Sequence, residues 1–132
     1  MSDIDISILV NNEEYGTTGA FLDASEQDIH NHLASNVYPG VLLTQHILKS
    51  FKQRKHAIRK RSLLIQTSSN LSTKPVPFAA ALSSTKRFVD FMGYTLSQEL
   101  SEYNVDVCFW KPAIIVNPKA DKRSYGMFGV TP

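Results

Sequence analysis

Disulfide bonds, membrane spans and a strong net charge are all missing from this sequence. Its 132 residues contain a single cysteine, Cys108, so no disulfide can form within the chain. No apolar run approaches the roughly 20 residues of a membrane-spanning helix. The N-terminal segment lacks the basic region of a signal peptide. We therefore expect a soluble, intracellular protein without a signal peptide, in a compartment that the sequence does not specify.

Charge is small overall but uneven along the chain. The net charge of +2 is too low to indicate a nucleic-acid partner by itself, yet seven of the fourteen Lys and Arg residues lie between Lys49 and Arg61. Such a segment often closes a helix, where cations offset the negative end of the helix dipole. It is also a candidate contact for an anionic lipid surface, RNA or an acidic protein. No aromatic side chain follows Phe51 in the segment, so nothing there stacks on bases.

What the sequence does contain is an alternation of short apolar runs and long segments with apolar residues at helical spacing. The predicted elements are, in chain order, a strand at 4–10, a helix at 26–53, a strand at 63–67, a helix at 78–103, a strand at 105–110 and an irregular tail at 117–132. Ser25 is the expected N-cap of the first helix, and Pro39 should kink that helix. The chain length favours a single domain. This order predicts an α/β fold of three parallel strands, whose right-handed crossovers place two long helices on one face of the sheet.

The other face of the predicted sheet has no helix to cover it. The strands read as continuous apolar runs, which are normally covered on both faces. Left bare, the face would expose on the order of several hundred Å² of apolar surface, more than soluble monomers usually tolerate. The tail at 121–132 is too short to cover all of it. We expect a protein partner or a second copy to pack there, with Ile6, Ile8, Val107 and Phe109 as candidate contacts on one side or the other.

Four polar landmarks occur in order along the chain. Asn11 and Asn12 end the first predicted strand, and Asn36 lies in the first helix. Ser69 follows the second strand, and Lys86 lies in the early turns of the second helix. The histidines and the lone cysteine do not have the spacing of a metal-ligand set, so we expect no metal site.

This order and spacing resemble the short-chain dehydrogenase/reductase family over nearly the whole chain. The segment PVPFAAALSSTKRFVDFM is most similar to the branch of 17β-hydroxysteroid dehydrogenases and very-long-chain 3-oxoacyl-CoA reductases. The resemblance implies a partial Rossmann-like fold. It implies catalytic roles for Asn36, Ser69 and Lys86, and nicotinamide-cofactor contacts for Asn12, Lys86 and Pro112. In such enzymes a tyrosine donates the proton, the lysine lowers the tyrosine pKa and holds the ribose, and the serine binds the carbonyl.

The family's tyrosine is missing from its own place. That position lies thirteen residues after Ser69 and four before Lys86, and Leu82 occupies it. Leucine has no ionisable group and cannot be a general acid. Tyr94 lies twelve residues further along the same helix, roughly 18 Å away at 1.5 Å per residue. Tyr15, in the loop after the first strand, is a remote candidate for the proton donor.

Two further departures concern the cofactor. Glu13 and Glu14 replace the Ala-Gly that lines the cofactor in active relatives, and they add bulk and negative charge. The 132 residues contain no G-x-x-x-G-x-G turn for the pyrophosphate, so the resemblance is to a member truncated at both ends. We expect no cofactor to bind, unless another chain supplies the missing half for NADP or NAD.

Three functional interpretations follow from these matches and departures. The preferred one is a truncated, catalytically degenerate family member with a structural or interaction role. The second is a fragment of an NAD(P)H-dependent reductase of fatty acyl or steroid carbonyls, in which another chain supplies the cofactor half. The third is a basic module that binds acidic lipid or RNA through residues 49–61. Only the second interpretation predicts an oxidoreductase activity.

Overall fold

Three strands and three α-helices make up the chain in the computed structural model, which describes residues 4–58 and 60–113. The strands are β1 at Ile8–Asn11, β2 at Ser62–Thr67 and β3 at Val105–Trp110. The helices are α1 at Glu26–Asn36, α2 at Tyr38–Ile58 and α3 at Ala80–Glu99. No helix in these ranges combines enough length with enough apolar character for a membrane span. The predicted tail at 117–132 lies outside the described residues.

The strands form one parallel sheet in the order β1-β2-β3. In the middle of the sheet, Val10 pairs with Ile65 and Ile65 pairs with Cys108. The crossover from β1 to β2 contains α1 and α2, and the crossover from β2 to β3 contains α3. Because such crossovers are right-handed, the helices lie on the same face of the sheet. The predicted α/β architecture is therefore confirmed.

β1 begins four residues later than predicted, at Ile8. Ile8 pairs with Leu63, the second residue of β2, and the Ser7 carbonyl accepts the Leu63 N–H, so only the chain before Ser7 runs past the start of the neighbouring strand. Ile4 and Ile6 are apolar yet exposed. A strand needs a partner for its backbone groups. The apolar pattern alone predicted too long a strand because it does not show where that partner begins.

The helix predicted at 26–53 is in fact two helices, α1 and α2, which meet at Val37. Ser25 caps α1, and its Oγ accepts the Asp28 N–H at 3.0 Å. Pro39 lies in the first turn of α2. A proline is tolerated there because the N–H groups of a first turn have no acceptor within the helix. The proline therefore stands at the start of a second helix and does not kink a continuous one.

α3 is shorter at both ends than the helix predicted at 78–103. Phe78 has a φ of 65°, a left-handed conformation that helical residues do not adopt, so the helix starts only after it. A 3₁₀ turn at Ser101–Tyr103 follows the helix, and Asn104 closes this turn with a φ of 55°. Asparagine reaches the left-handed region more easily than most residues.

The main core lies between α2, the end of α3 and the sheet. Phe51 of α2 is 1% exposed, and Leu64 at the centre of β2 is fully buried. Ile47, Leu100 and Val105 complete the packing around Phe51. This core fixes one end of α3 and leaves the other end beside the loop that connects β1 to α1.

The face of the sheet opposite the helices carries no described helix. We call this surface the bare face, and its side chains are Ile8, Val10, Leu63, Ile65, Asp106, Cys108 and Trp110. Ile8 and Val10 are each more than half exposed. Side chains alternate along a strand, so Val107 and Phe109 point the other way, toward the helices. Of the four candidate contacts, which were predicted for one side or the other, Ile8 lies on the bare face and Val107 and Phe109 lie on the side of the helices.

Several cations of the basic segment at 49–61 are engaged within the chain. Arg54 Nε pairs with Asp5 at 2.8 Å, and Arg61 pairs with Asp106. Lys52 Nζ lies 4.7 Å from the centre of the Tyr103 ring. The contacts of Lys52 and Arg54 hold the end of α2 against the 3₁₀ turn and the segment before β1, and they support the interpretation of the segment as a helix end.

Gly93 of α3 lies directly against β3. A Cβ at this position would lie 2.4 Å from Cε1 of Phe109, well inside van der Waals contact. The Phe109 ring also packs against Tyr94, with 4.5 Å between the ring centres. The helix approaches the strand this closely because residue 93 has no side chain.

We predict that Gly93→Ala lowers the free energy of unfolding by about 1 kcal/mol. Overpacking costs about 1–3 kcal/mol, which exceeds the roughly 1 kcal/mol that alanine gains over glycine in a helix. In a Phe109→Leu background the same substitution should stabilise the chain, because the ring is gone. Urea unfolding of the four chains, followed by circular dichroism, measures both effects. A stabilising effect of Gly93→Ala in the parent chain would contradict the packing argument.

Candidate functional site

The loop between β1 and α1 is tied to the helices by Asn36. The Asn36 Oδ1 accepts the Tyr15 N–H at 2.7 Å, and its Nδ2 donates to the Tyr15 carbonyl at 2.8 Å. The same Nδ2 lies 3.0 Å from Oγ1 of Thr85 on α3. Asn36 is buried, so these bonds form in a water-poor setting where an unpaired amide would be costly. One side chain thus joins the loop, α1 and α3.

Lys86 is buried and forms an ion pair with the side chain of Glu14 in the same chain. Only 1% of its surface is exposed. Its Nζ lies 2.7 Å from Oε2 of Glu14 and 3.3 Å from the Thr67 carbonyl oxygen. Because charge is costly to bury without a partner, Glu14 supplies the compensation that this ammonium group requires.

Leu82 lies one helical turn before Lys86 and faces the same loop. It is 8% exposed. A Cβ at Gly16 would lie 3.4 Å from Leu82 Cδ2, so the loop backbone packs closely on the leucine side chain. The position expected to hold a proton donor therefore holds an apolar packing contact.

Tyr15, the remote candidate for the proton donor, is directed elsewhere. Its hydroxyl donates to Asp28 Oδ1 at 2.6 Å. Its ring meets His32 edge to face, with 5.1 Å between the ring centres. Hydrogen bonds from Ser25 and then from Tyr15 lower the pKa of the Asp28 carboxyl. The structure does not bring the Tyr15 hydroxyl to Lys86.

His32 is a buried histidine that fastens the same loop. Its Nε2 accepts the Thr17 N–H at 3.4 Å and lies 3.0 Å from Thr17 Oγ1. Burial lowers the pKa of His32, and the nearby Asp28 carboxylate opposes this only in part. The imidazole is therefore neutral at pH 7, which suits an acceptor at Nε2.

The remaining predicted site residues are not joined to Lys86. The Ser69 Oγ accepts the Leu71 N–H at 3.2 Å and caps the short 3₁₀ turn that follows β2. The Pro112 carbonyl accepts the Asn70 N–H at 3.3 Å. Across the described part of the chain, no hydrogen bond links Ser69, Asn12 or Pro112 to the lysine. Asn36, Leu82 and Lys86 are thus brought together, and the other three lie outside this cluster.

Asn12 lines a small cavity of about 100 Å³ with both polar and apolar walls. Asn11, Asn36 and Gln66 also line it. Asn11 Nδ2 donates to Gln66 Oε1 at 3.1 Å, and both side chains point to the helix-covered side of the sheet. Among the described residues, no three His, Cys, Asp or Glu side chains come together in a way that could hold a metal ion.

A second buried ion pair lies further along α3, and the sequence patterns did not indicate it. Asp90 is fully buried, and its Oδ2 lies 2.6 Å from Lys111 Nζ and 2.6 Å from Ser72 Oγ. Burial opposes ionisation, but the bond from Lys111 and the bond from Ser72 prevail and lower the pKa of Asp90. Lys111 Nζ also lies 3.3 Å from the Tyr94 hydroxyl, so Tyr94 contacts the Asp90–Lys111 pair and not Lys86.

A charged residue on the buried face of a helix is the sequence signal that could have revealed this pair. Asp90 follows Lys86 by four residues, which places both on one face of α3. Glu14 was noted as added negative charge, but its pairing with Lys86 was missed. No sequence pattern identified Thr85 as a site residue; it is only the neighbour of Lys86 in the sequence.

The residues present do not fit the nicotinamide cofactor that the resemblance implies. The ammonium group that would hold the ribose is buried and bonded to Glu14. Leu82 stands where the proton donor would stand. No step of hydride transfer is therefore assigned to this arrangement.

Comparison with known proteins identifies the family to which the chain belongs. The family model described as short chain dehydrogenase matches residues 3–125. A very-long-chain 3-oxoacyl-CoA reductase of Podospora anserina is 29% identical over 108 residues, covering 80% of this chain and 30% of that protein. A protein of the same name from Pyricularia oryzae is 27% identical over 134 aligned residues, covering 100% of this chain and 39% of its own length. The chain thus spans well under half of these curated relatives.

Solved structures show the same fold. A 3-ketoacyl-(acyl-carrier-protein) reductase from Brucella melitensis, complexed with NADH, superposes with a TM-score of 0.78 at 23% identity, over 83% of this chain and 45% of that one. A gluconate 5-dehydrogenase from Burkholderia cenocepacia, in complex with NADP and tartrate, gives a TM-score of 0.80 at 18% identity, over 88% and 44% of the two chains. With a family model that covers most of its length, the chain belongs to the short-chain dehydrogenase family.

Proposed function

We propose that this chain is a catalytically degenerate member of the family with a structural or interaction role. The observation that carries the proposal is the ion pair between Lys86 and Glu14, at 2.7 Å. A lysine that neutralises a carboxylate of its own chain is not free to lower the pKa of a tyrosine or to bind a ribose. The leucine at position 82 removes the tyrosine as well.

A second candidate is a segment of an NAD(P)H-dependent reductase of fatty acyl or steroid carbonyls. It is favoured by the retention of Asn36, Ser69 and Lys86, and by the similarity to very-long-chain 3-oxoacyl-CoA reductases. In this candidate another chain supplies the site for NADP or NAD, and Glu14 leaves Lys86 when the cofactor binds. A basic module for acidic lipid or RNA has less support, because Lys52, Arg54 and Arg61 are engaged within the chain.

The interaction role would use the bare face. Its central rows, Ile8 with Leu63 and Val10 with Ile65, are apolar. Asp106 is its one acidic strand residue, and Arg61 already pairs with it. A largely apolar face without a free charge complements a second copy of itself, and sheets stack face to face at about 10 Å. We propose a second copy as the occupant.

The full chain is expected to bind NADPH with a dissociation constant above the low micromolar range. Glu14 competes for Lys86, and the 132 residues contain no glycine-rich turn to hold a pyrophosphate. NADPH fluorescence during titration measures the affinity, with Lys86→Met as the matched variant. Low micromolar binding that is lost in Lys86→Met would refute the proposal and support the reductase segment.

Leu82→Tyr should not restore reduction of a 3-oxoacyl thioester or a ketosteroid by NADPH. A general acid contributes about 10²–10⁴-fold, but only when a hydride donor is in place. The double variant Leu82→Tyr with Glu14→Gly, which also frees the lysine, should be inactive too. Leu82→Phe is the control for the added ring. Turnover by the tyrosine variants and not by the phenylalanine variant would refute the argument that the chain lacks a cofactor site and would favour the reductase segment.

Sedimentation at micromolar concentration should show the chain, of 14.8 kDa, as a dimer or larger. Val10→Glu on the bare face should shift it to a monomer, because a carboxylate cannot be buried there without a partner. The matched control is Leu42→Glu, at a helix residue that is 63% exposed. A sharply melting monomer of the parent chain overturns the second-copy proposal, and a monomer produced only by Leu42→Glu moves the contact to the helices.

A further inference from the structure

A large concave surface lies apart from the cluster around Lys86. We call it the loop groove: it is formed by residues 71–77, which connect β2 to α3, and by Ala80, Ser83, Ser84 and Arg87 of α3. The helix residues recur at spacings of three and four, so they share one face of α3. Lys86 does not line the groove. Its volume of about 820 Å³ lies in the range of about 300–1,000 Å³ for small-molecule sites.

The wall of the groove is fixed in place before any ligand arrives. Ser72 Oγ lies 2.6 Å from the buried carboxylate of Asp90, which anchors the loop to α3. Thr73 Oγ1 donates to the Asn70 carbonyl at 2.7 Å and closes the turn. Pro75 further restricts the backbone, because its ring fixes φ. A preformed wall reduces the entropy that is lost on binding.

The groove carries positive charge that no described carboxylate neutralises. Lys74 and Arg87 are exposed, and neither forms an ion pair with any described residue. No Asp or Glu lines the groove. Arg54, Arg61, Lys86 and Lys111 are paired with carboxylates, whereas Lys49 and Lys60 are exposed like Lys74 and Arg87 but lie outside the groove. The loop groove is therefore complementary to an anion.

We propose that the loop groove binds a small organic phosphate with an aliphatic body. A phosphate monoester carries about −1.5 to −2 charges at pH 7, which matches the two cations Lys74 and Arg87. The planar guanidinium of Arg87 can donate two bonds to one phosphate, and the Ser84 hydroxyl lines the same wall. Leu71 and Val76 supply apolar contacts for the body of the ligand.

The features of the groove favour a small ligand over a membrane or a nucleic acid. Two cations fall short of the roughly 4–8 that mark a surface for acidic lipid. No aromatic side chain lines the groove, so a base would have nothing to stack on. A concave site lined by both cations and apolar side chains selects for a molecule that carries an anionic group and an apolar body.

Calorimetric titration of the full chain with octyl phosphate, below its micelle concentration, tests the proposal. Octanol and inorganic phosphate each lack one half of the probe and should bind at least tenfold more weakly. The double variant Lys74→Gln with Arg87→Gln should weaken octyl phosphate binding tenfold or more. Lys49→Gln with Lys60→Gln removes the same charge from exposed residues outside the groove and should leave binding unchanged.

Ser84→Asp is a second variant that keeps both cations and places a carboxylate in the groove. It should abolish binding of octyl phosphate, and circular dichroism confirms that each variant is folded. Equal affinity for octyl phosphate and octanol overturns the proposal, as does binding that survives the Lys74 and Arg87 substitutions. Absence of octyl phosphate binding, with binding of phosphatidylserine vesicles that depends on the two cations, also overturns it and assigns the groove to a membrane surface.

Discussion

A buried ammonium group must be compensated, because a charge taken out of water is costly unless it is paired and hydrogen-bonded. Lys86 is such a group, and its partner Glu14 comes from the loop that follows β1. The path of the loop between β1 and α1 therefore depends on the need to neutralise the Lys86 ammonium group. Next to Glu14, the backbone of Tyr15 is bound on both its N–H and its carbonyl by Asn36, and Gly16 then packs on Leu82. One ion pair and its neighbours therefore place the loop against α1 and α3.

The two departures from the family pattern around Lys86 support each other physically. Leucine at position 82 gives the loop an apolar surface to pack on, where a tyrosine would present a hydroxyl that needs a partner. Glutamate at position 14 gives the lysine a partner within the chain. Under the proposed function, a site suited to moving protons has become a contact that holds a loop in place. The neutral His32 strengthens this contact through Thr17.

Apolar periodicity and helix-capping residues correctly predicted the parts of the fold that depend on residues close together in the sequence. β3 has its predicted bounds, and Ser25 caps α1 through a bond to a residue three positions on. The start of β1 was wrong because it depends on where β2 begins, which is set by register. The break between α1 and α2 was predicted only as a kink, since a proline in a first turn looks the same in sequence as a proline inside a helix.

The sequence allowed us to predict which residues belong to the candidate site. It did not allow us to predict the hydrogen bonds and ion pairs that these residues form. Asn36, Leu82 and Lys86 were identified from order and spacing, and the structure brings them together. The partner of Lys86 lies 72 residues earlier in the chain, and no periodic pattern connects residues that far apart. Asp90 of α3 likewise pairs with Lys111 at the end of β3, so this ion pair also joins two different elements. Such pairs are set by packing, and only coordinates show them.

The position of Cys108 makes the bare face open to direct chemical observation. It is the single cysteine of the chain, it is exposed, and it lies in register with Ile65 and Val10 in the middle of that face. A protein layer that covers these strands also shields the thiol, so the rate at which an alkylating reagent reacts with it reports on coverage. The native sequence thus places its one thiol on the surface where we propose that a second copy packs.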